Sequence, residues 1–259
     1  MTTEKIRKIR LTPLQFFVRI KFLSVFRIFF SLLKGILMKY VMIITLIFVY
    51  VLGIQATSII GGSSIISTSH VLQLESWLGE SNLALTKIFS KNNDGASSST
   101  FHSKVDNKGR TFTLMHIING SDVRIVGGYN SLSWLSNSNY NYSAAGSFLF
   151  NLTSSTLYAN SRFDYYTYNH TSYGPTWGGG HDLYINSTLS GGYANIGHTY
   201  GDYNQYSTTS YQNSFTGSYS SWSVGELEVF TISQDIVPEP ASMILLGMAI
   251  AILWNIRKR

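Results

Sequence analysis

The sequence predicts a mostly β fold of the α+β class: a two-sheet antiparallel β-sandwich with a few small peripheral helices, flanked by an N-terminal signal and a C-terminal transmembrane helix. From Ser97 onward the 259-residue chain is rich in Ser, Thr, Asn, Gly and Tyr, which suits short strands joined by polar turns. Helical periodicity is rare, and an apolar segment beside basic residues lies near each end. The sequence therefore predicts one domain between two membrane-directed segments.

Several short segments have the composition of strands. Residues 111–120, "TFTLMHIING", end in the turn dipeptide Asn119-Gly120, and residues 121–134 continue as a second strand, which predicts a hairpin. Further strands are expected within residues 145–153, "AGSFLFNLT", and 181–188, "HDLYINST".

The last strand is expected in residues 225–232, "GELEVFTI", where apolar and polar residues alternate. Such alternation predicts a half-buried strand with one wetter face, and Glu226 and Glu228 lie two residues apart on it. A carboxylate pair for glycoside hydrolysis normally comes from different elements on the two sides of a cleft. We therefore expect these two residues to face solvent.

Helices are predicted in only a few places. Residues 69–79, "SHVLQLESWLG", place apolar residues at helical spacing and end in Gly79. Residues 97–103 are expected to form a short helix or a turn. Residues 191–219 have low complexity and are interpreted as a long loop.

A secretory signal is predicted in residues 38–56. Lys39 precedes an uncharged apolar stretch at residues 41–54, and Ala56 offers a small residue for cleavage before Thr57. Residues 1–37 are then either a long n-region or an upstream extension that is not translated. The alternative of two membrane helices is disfavoured because four basic residues interrupt residues 16–37.

The C-terminal segment, residues 236–259, has three parts. Val237, Pro238, Glu239 and Pro240 come first, the apolar run 241–256 follows, and the basic residues Arg257, Lys258 and Arg259 end the chain. At 1.5 Å per residue the run is about 24 Å long, near the thickness of a bilayer core, and the basic end is expected to stay in the cytoplasm. The plain interpretation is a permanent anchor.

This order of motif, helix and basic tail resembles the PEP-CTERM sorting signal of Gram-negative bacteria. The resemblance implies recognition by an exosortase, which removes the tail near Pro-Glu-Pro. It also implies use of the secretion machinery, a transient precursor in the inner membrane, and a mature form at the cell surface or in the extracellular matrix. Pro238 and Pro240 would keep the motif extended and accessible, because proline resists helix and strand pairing.

Charge and cysteine content exclude a nucleic-acid-binding body, a disulfide-bonded fold and thiolate chemistry. The net charge of +6 comes from the ends: residues 1–40 hold nine Lys/Arg and one acid, and residues 57–237 hold seven Lys/Arg and eleven acids, a balance of −4. Residues 57–237 therefore have no charge pattern that would bind the phosphates of nucleic acid. The chain has no cysteine, so it forms no disulfides and has no thiolate chemistry.

Five segments in series, 77–117, 126–134, 147–152, 173–185 and 224–232, resemble a TLDc domain, here taken as residues 57–235. The resemblance implies a two-sheet β-sandwich with peripheral helices and brings no accepted catalytic site. Eukaryotic relatives are associated with oxidation resistance and with the vacuolar proton pump, but those functions should not be transferred to an exported bacterial protein. Function has to be argued from sites.

One candidate binding cleft is predicted around a glycine run. His181 and Asp182 follow three glycines, and His198, Tyr173 and Trp177 are expected nearby. No catalytic residue, metal site or cofactor is assigned, because the histidines lack metal-pair spacing and nucleophile and nucleotide motifs are missing. The alternative reading is that the glycines serve tight packing. A hydrolase would require His181, Asp182 and an acid or serine to converge in a pocket.

Tyrosines crowd the second half of the chain beside Asn, Ser and Gly. Exposed aromatic rings among amides suit binding of extracellular polysaccharide or of matrix proteins, although tyrosine is also a common strand residue. Three hypotheses follow: a non-catalytic binding or structural module, an uncharacterised hydrolase, and a membrane-anchored partner-binding domain on the periplasmic side. Exposure of the tyrosines around one face would favour the first.

Overall fold

The computed structural model of the protein describes residues 31–37, 39–41, 57–162, 164–234 and 247. Short strands dominate the unit formed by residues 56–236. Its elements in chain order are β1 Ser58–Ile60, α1 Thr68–Leu78, β2 Leu83–Ser90, α2 Lys91–Asp94, α3 Ser98–Val105, β3 Thr111–Asn119, β4 Asp122–Asn130, β5 Asn139–Asn141, β6 Phe148–Asn151, β7 Thr156–Ala159, β8 Thr167–Asn169, β9 Thr176–Trp177, β10 Leu183–Ile185, β11 Gly192–Ala194, a 3₁₀ helix Tyr203–Gln205, α4 Thr209–Thr216 and β12 Ser223–Gln234.

The strands form two sheets, as predicted. A seven-stranded sheet has the order β1-β2-β12-β3-β4-β6-β7, and a five-stranded sheet has the order β11-β10-β9-β8-β5. Neighbouring strands pair antiparallel except β1 and β2, which are parallel with Ser58 opposite Ala84. The mostly β class with a few small helices is confirmed, but the prediction of wholly antiparallel sheets is wrong at this edge.

The main core lies between the two sheets. Met115 and Ile117 of β3 belong to the same buried cluster as Trp177 and Leu183 of the five-stranded sheet. Side chains alternate along a strand, so Leu114, the residue before Met115, packs on the opposite face. A second cluster fills that face, where the apolar side of α1 covers the seven-stranded sheet.

The predicted hairpin is β3 and β4. Its register is continuous to the pair Asn119–Asp122, so the two-residue turn is Gly120-Ser121 rather than Asn119-Gly120. Gly120 has φ of +62°, and glycine at the first turn position is what a tight hairpin of this kind requires.

The prediction that Glu226 and Glu228 face solvent is wrong. Both side chains are buried, because β12 lies between β2 and β3 in the middle of the seven-stranded sheet and both of its faces are covered. The Glu228 carboxylate accepts hydrogen bonds from the Ser63 hydroxyl and from the Ser64 backbone N–H at 3.1 Å, and it pairs with Lys87 at 3.2 Å. These partners compensate the cost of burying the charge.

The helices predicted at residues 69–79 and 97–103 are present as α1 and α3, whereas α2, α4 and the 3₁₀ helix lie where no helix was predicted. Helix α1 ends at Gly79, whose φ of +73° is left-handed and whose N–H donates to the Glu75 carbonyl. At the start of α3 the Ser97 hydroxyl accepts from the Thr100 N–H. The interpretation of residues 191–219 as a long loop is wrong, since this segment contains β11, the 3₁₀ helix and α4.

The predicted terminal segments lie largely outside the described residues. Residues 31–37, 39–41 and 247 are helical. In the described part of the chain, no helix is both long and apolar enough to cross a membrane. Ala56, the Pro-Glu-Pro motif and the basic tail at residues 257–259 are outside the described ranges, and Thr57 is the first described residue of the domain.

Candidate binding face

The outer face of the five-stranded sheet is built from strands with tyrosine at the centre. In β10, Leu183 and Ile185 are completely buried and Tyr184 between them is partly exposed. The same alternation turns Tyr168 of β8 outward. A tyrosine in the middle of a three-residue strand therefore points away from the core whenever its two neighbours point inward.

Strand register aligns these tyrosines side by side. Tyr140 pairs with Tyr168 and Tyr184 with Tyr193, and their ring centroids lie 4.6 and 5.1 Å apart. The His181 ring lies 5.3 Å from Tyr168 and 6.0 Å from Tyr184, so it bridges the two pairs. At the far end Tyr219 stacks on Tyr193 at 5.5 Å. We call this set the aromatic row: Tyr140, Tyr168, His181, Tyr184, Tyr193 and Tyr219.

Further rings border the aromatic row. Tyr165 lies 5.0 Å from Tyr140 and Tyr142 lies 5.3 Å from Tyr165. On the other side Tyr173 lies 4.8 Å from Tyr184. Most of these rings are partly exposed, and Tyr142 and Tyr219 are the most open, at 55% and 48%. The face thus runs from β5 to β11, and the His181 ring, rather than a side chain of β9, lies between the Tyr168 and Tyr184 rings.

His181 is central to this face. Its ring contacts those of Tyr140, Tyr168, Tyr184 and Tyr193, as well as that of the bordering Tyr173. The backbone of His181 is left-handed at φ +52°, a conformation that non-glycine residues adopt rarely and often at functional sites. Burial lowers the pKa of His181, which favours the neutral imidazole.

The glycine run before His181 allows close packing, which fits the alternative reading of the sequence. Gly178 has φ of +85°, and a Cβ on it would lie 1.8 Å from the Asp182 carboxylate. A Cβ on Gly179 would lie 2.9 Å from Tyr165. Side chains at these positions would displace either the buried carboxylate or the ring beside the aromatic row.

Asp182 and Trp177 lie in the interior. The Asp182 carboxylate accepts from the backbone N–H groups of Gly197 at 3.0 Å, Thr199 at 3.0 Å and Tyr200 at 3.2 Å. Burial raises its pKa to about 7, although these hydrogen bonds act in the opposite direction. Trp177 is completely buried, with its ring edge-on to Trp134 at 5.0 Å.

The five residues of the predicted cleft therefore separate into three places. Tyr173 and His181 share the outer face, with their rings 6.1 Å apart. Asp182 and Trp177 are inside the fold. His198 contacts Tyr206 at 5.2 Å in a different aromatic group, where Arg162 lies over Tyr203 at 4.9 Å. The structure brings together an aromatic surface rather than one cleft.

This arrangement does not provide the convergence that a hydrolase would need. The Asp182 oxygens are bonded to backbone N–H groups and are closed to a ligand outside the fold. Within the described ranges, no group of three His, Cys, Asp or Glu side chains is placed to hold a metal ion.

His102, another histidine of the domain, holds the turn that carries Tyr173. It is buried, its Nδ1 lies 2.8 Å from the Asp106 carboxylate, and its Nε2 lies 3.0 and 3.1 Å from the carbonyl oxygens of His170 and Tyr173. Helix α3 is thereby tied to the turn between β8 and β9. This contact fixes the border of the aromatic row.

An open pocket of about 540 Å³ lies elsewhere, beside β4, β6, β7 and α4. Its cationic side chain is Arg124, which donates to the Asp122 carboxylate and to the carbonyl oxygens of Asn213 and Ser214. Because the guanidinium is occupied by these partners, the pocket offers a ligand no free charge.

The sequence contained a signal for the aromatic row that pattern reading missed. The short segments "NYN", "TYN", "LYI" and "GYA" each place tyrosine between two residues of a three-residue strand. Segments this short have too few residues to show alternation by themselves. Their repetition, with tyrosine always central, is the feature that would have indicated a shared face.

Comparison with known protein families gives two matches. Residues 237–259 match the PEP-CTERM protein-sorting motif, which implies recognition by an exosortase-type sorting enzyme and export to the cell envelope or surface. A search of curated proteins finds no match. Residues 59–233, more than half of the chain, match the TLDc domain, and the protein therefore belongs to the TLDc domain family.

Proposed function

We propose that this protein is an exosortase-sorted protein of the cell surface or extracellular matrix, and that its TLDc domain is a non-catalytic module that binds extracellular polysaccharide. The observation that carries the proposal is the aromatic row: six aromatic side chains from distant parts of the sequence form one continuous outer face. A contiguous exposed surface of this kind usually serves binding.

The proposed sorting route rests on the two terminal segments, residues 38–56 and 236–259. Residues 38–56 act as the signal and are removed between Ala56 and Thr57. The apolar run 241–256 then holds the precursor in the inner membrane, with the basic end in the cytoplasm. Exosortase cleavage near Pro238 releases the domain, residues 57–235, to the surface or matrix.

A binding role suits the chemistry of the face better than a hydrolytic one. Tyrosine combines an apolar ring with a hydroxyl that both donates and accepts hydrogen bonds, which matches a sugar chain. The Asp182 carboxylate, whose pKa is raised by burial to about 7, lies behind this face and is bonded to the backbone. It stabilises the loop at residues 197–200 and does not reach a ligand.

Co-sedimentation tests the binding role. Protein recovered from the extracellular fraction of its own cells is mixed with the polysaccharide of the same cells and centrifuged. We expect wild type to sediment with the polysaccharide and the double variant Tyr142→Ser, Tyr219→Ser to stay largely in solution. Tyr203→Ser is the matched control, because Tyr203 is 52% exposed but lies outside the face. Equal retention of all three would contradict the proposal.

Intact mass spectrometry tests the sorting route. A released form that begins near Thr57 and ends near Val237 or Pro238 is expected in the extracellular fraction. A membrane-held form that still ends in Arg259 would contradict release and would favour a partner-binding domain anchored on the periplasmic side.

A further inference from the structure

The aromatic row presents ring edges and hydroxyl groups. Side chains stand roughly perpendicular to a sheet, and neighbouring strands are only about 4.8 Å apart, which is too close for phenol rings to lie flat side by side. Accordingly, successive rings are inclined to each other by 17° to 48° at centroid distances of 4.6 to 6.0 Å. Each ring leans on the next, so the ring faces are largely covered.

The Tyr140 hydroxyl donates to the Gly179 carbonyl at 3.3 Å, and the other four tyrosine hydroxyls of the row are available. Among the described residues, the hydroxyls of Tyr168, Tyr184, Tyr193 and Tyr219 have no hydrogen-bond partner within the protein. This differs from Tyr158 and Tyr200 of the same domain, whose hydroxyls bond to Ser214 and to the Tyr166 carbonyl. The outer face therefore carries a series of unused donors and acceptors at the spacing of the strands.

The aromatic row is also uncharged. Among the described residues, the titratable groups that act on the Tyr140, Tyr184 and Tyr193 hydroxyls are other tyrosines, with no Lys, Arg, Asp or Glu. Burial raises the pKa of Tyr193 to about 12, which keeps its proton in place. A charged ligand would lose water here without gaining a counter-charge.

We infer that the aromatic row binds an extended, uncharged glycan strand that lies across the β-strands and is held by hydrogen bonds between its hydroxyls and those of the tyrosines. This inference rests on the proposed function and specifies its ligand. The Tyr140 and Tyr193 rings lie 6.2 and 6.3 Å from the His181 ring, and Tyr219 lies 5.5 Å from Tyr193, so the whole row spans no more than about 18 Å. His181 joins the two tyrosine pairs, so a ligand that uses the whole row must pass over it.

The central test removes hydroxyls and keeps the rings. The triple variant Tyr168→Phe, Tyr184→Phe, Tyr193→Phe is compared with wild type and with Tyr203→Phe in the full chain. The probes are oligosaccharides from partial hydrolysis of the producing cells' extracellular polysaccharide, separated by charge and by length, and binding is measured by calorimetry. We expect the triple variant to bind neutral oligosaccharides at least about tenfold more weakly, because three hydrogen bonds are lost. Tyr203→Phe is expected to bind like wild type.

The length of the oligosaccharide and the substitution of His181 give a second readout. Affinity should rise with oligosaccharide length until the fragment covers the row, at no more than about 18 Å, and then level off. His181→Asn should lower the affinity for the longest fragments about tenfold and leave the shortest unchanged, since asparagine tolerates the left-handed backbone but lacks the bridging ring.

The outcomes separate this inference from the proposed function. If wild type binds but the triple Phe variant binds equally well, or if acidic fragments bind more tightly than neutral ones, the inference is wrong and polysaccharide binding stands. If wild type is not retained on the polysaccharide at all, the proposed function fails first. A second copy of this chain could also cover the face, and sedimentation velocity tests for it. If wild type forms a dimer and the Tyr142→Ser, Tyr219→Ser variant does not, the face binds a second copy and the inference is wrong.

Discussion

The seven-stranded and five-stranded sheets share one core but differ in whether their outer faces are covered. The outer face of the seven-stranded sheet is covered by α1, and even Glu228 on its central strand is buried and paired. The outer face of the five-stranded sheet is uncovered among the described residues and carries the aromatic row. Alternation along a strand therefore determines only which residues share a face. Whether that face becomes core or display surface depends on what packs against it.

The largest loss of stability is expected at the inner face of the five-stranded sheet. Trp177→Ala should lower the free energy of unfolding by about 3–5 kcal/mol, because the ring is completely buried and its loss leaves a cavity. Chemical denaturation measures this change. Tyr184→Ala, on the outer face of the neighbouring strand, is the matched control and should cost clearly less. Equal losses would show that the two faces are not distinct.

The covered face of the seven-stranded sheet can be tested at Glu228. Glu228→Ala should cost about 3 kcal/mol, because Lys87 and the Ser64 N–H lose their buried partner. Glu228→Gln should cost less, since it keeps an acceptor for the Ser64 N–H. Urea unfolding of the two variants side by side would reveal this order. A cost below about 0.5 kcal/mol for Glu228→Ala would fit an exposed surface residue instead.

The buried Asp182 carboxylate makes the stability of the domain depend on pH. The pKa of Asp182 is about 7 in the folded protein, against about 4 in an unfolded chain. Between these values the folded state binds more protons, so the stabilising contribution is full below about pH 4, falls as pH rises and is lost above about pH 7. The stability of wild type relative to Asp182→Asn should therefore fall by roughly 2–4 kcal/mol across this window.

Thermal or urea unfolding over the pH range measures that difference, and other titrating groups cancel between the two proteins. Asp202→Asn is the control, because Asp202 is an exposed carboxylate. A relative stability of Asp182→Asn that does not vary with pH would show that the Asp182 carboxylate keeps an ordinary ionisation in the folded state.

The smallest effect is expected at the outer face itself. Each of Tyr168→Phe, Tyr184→Phe and Tyr193→Phe should change the free energy of unfolding by less than about 0.5 kcal/mol, because the hydroxyls have no partner in the described structure. Differential scanning calorimetry of the three variants and wild type measures these changes in stability. A loss above about 1 kcal/mol for any of them would mean that its hydroxyl serves the fold, as Tyr200 does through the Tyr166 carbonyl.

Much of the fold was predictable because its signals are local. The β3–β4 hairpin follows from a glycine turn between two β-rich segments, and α1 follows from apolar spacing that ends at Gly79. The burial of Glu226 and Glu228 was not predictable. Their alternation with apolar residues is the same in an edge strand and in a central strand, and the placement of β12 between β2 and β3 depends on segments far away in sequence.

The candidate site was predictable only in part. The density of tyrosines indicated a binding surface, and His181 and Tyr173 do lie on it. Trp177 and Asp182 are also aromatic or polar and lie close to the same glycines in the sequence, yet both are buried inside the fold. Strands of two or three residues carry too little pattern to decide this.

By itself the sequence determined the elements whose physics is local: the turns and helix ends, the mostly β composition, the absence of disulfides, and the PEP-CTERM motif that is read as a linear peptide. Only the tertiary structure decided which tyrosines meet. Tyr140 and Tyr193 are distant in the chain, and they belong to one row because β5, β8, β9, β10 and β11 pair in a single sheet. That pairing depends on a shared buried core, which no short segment specifies alone.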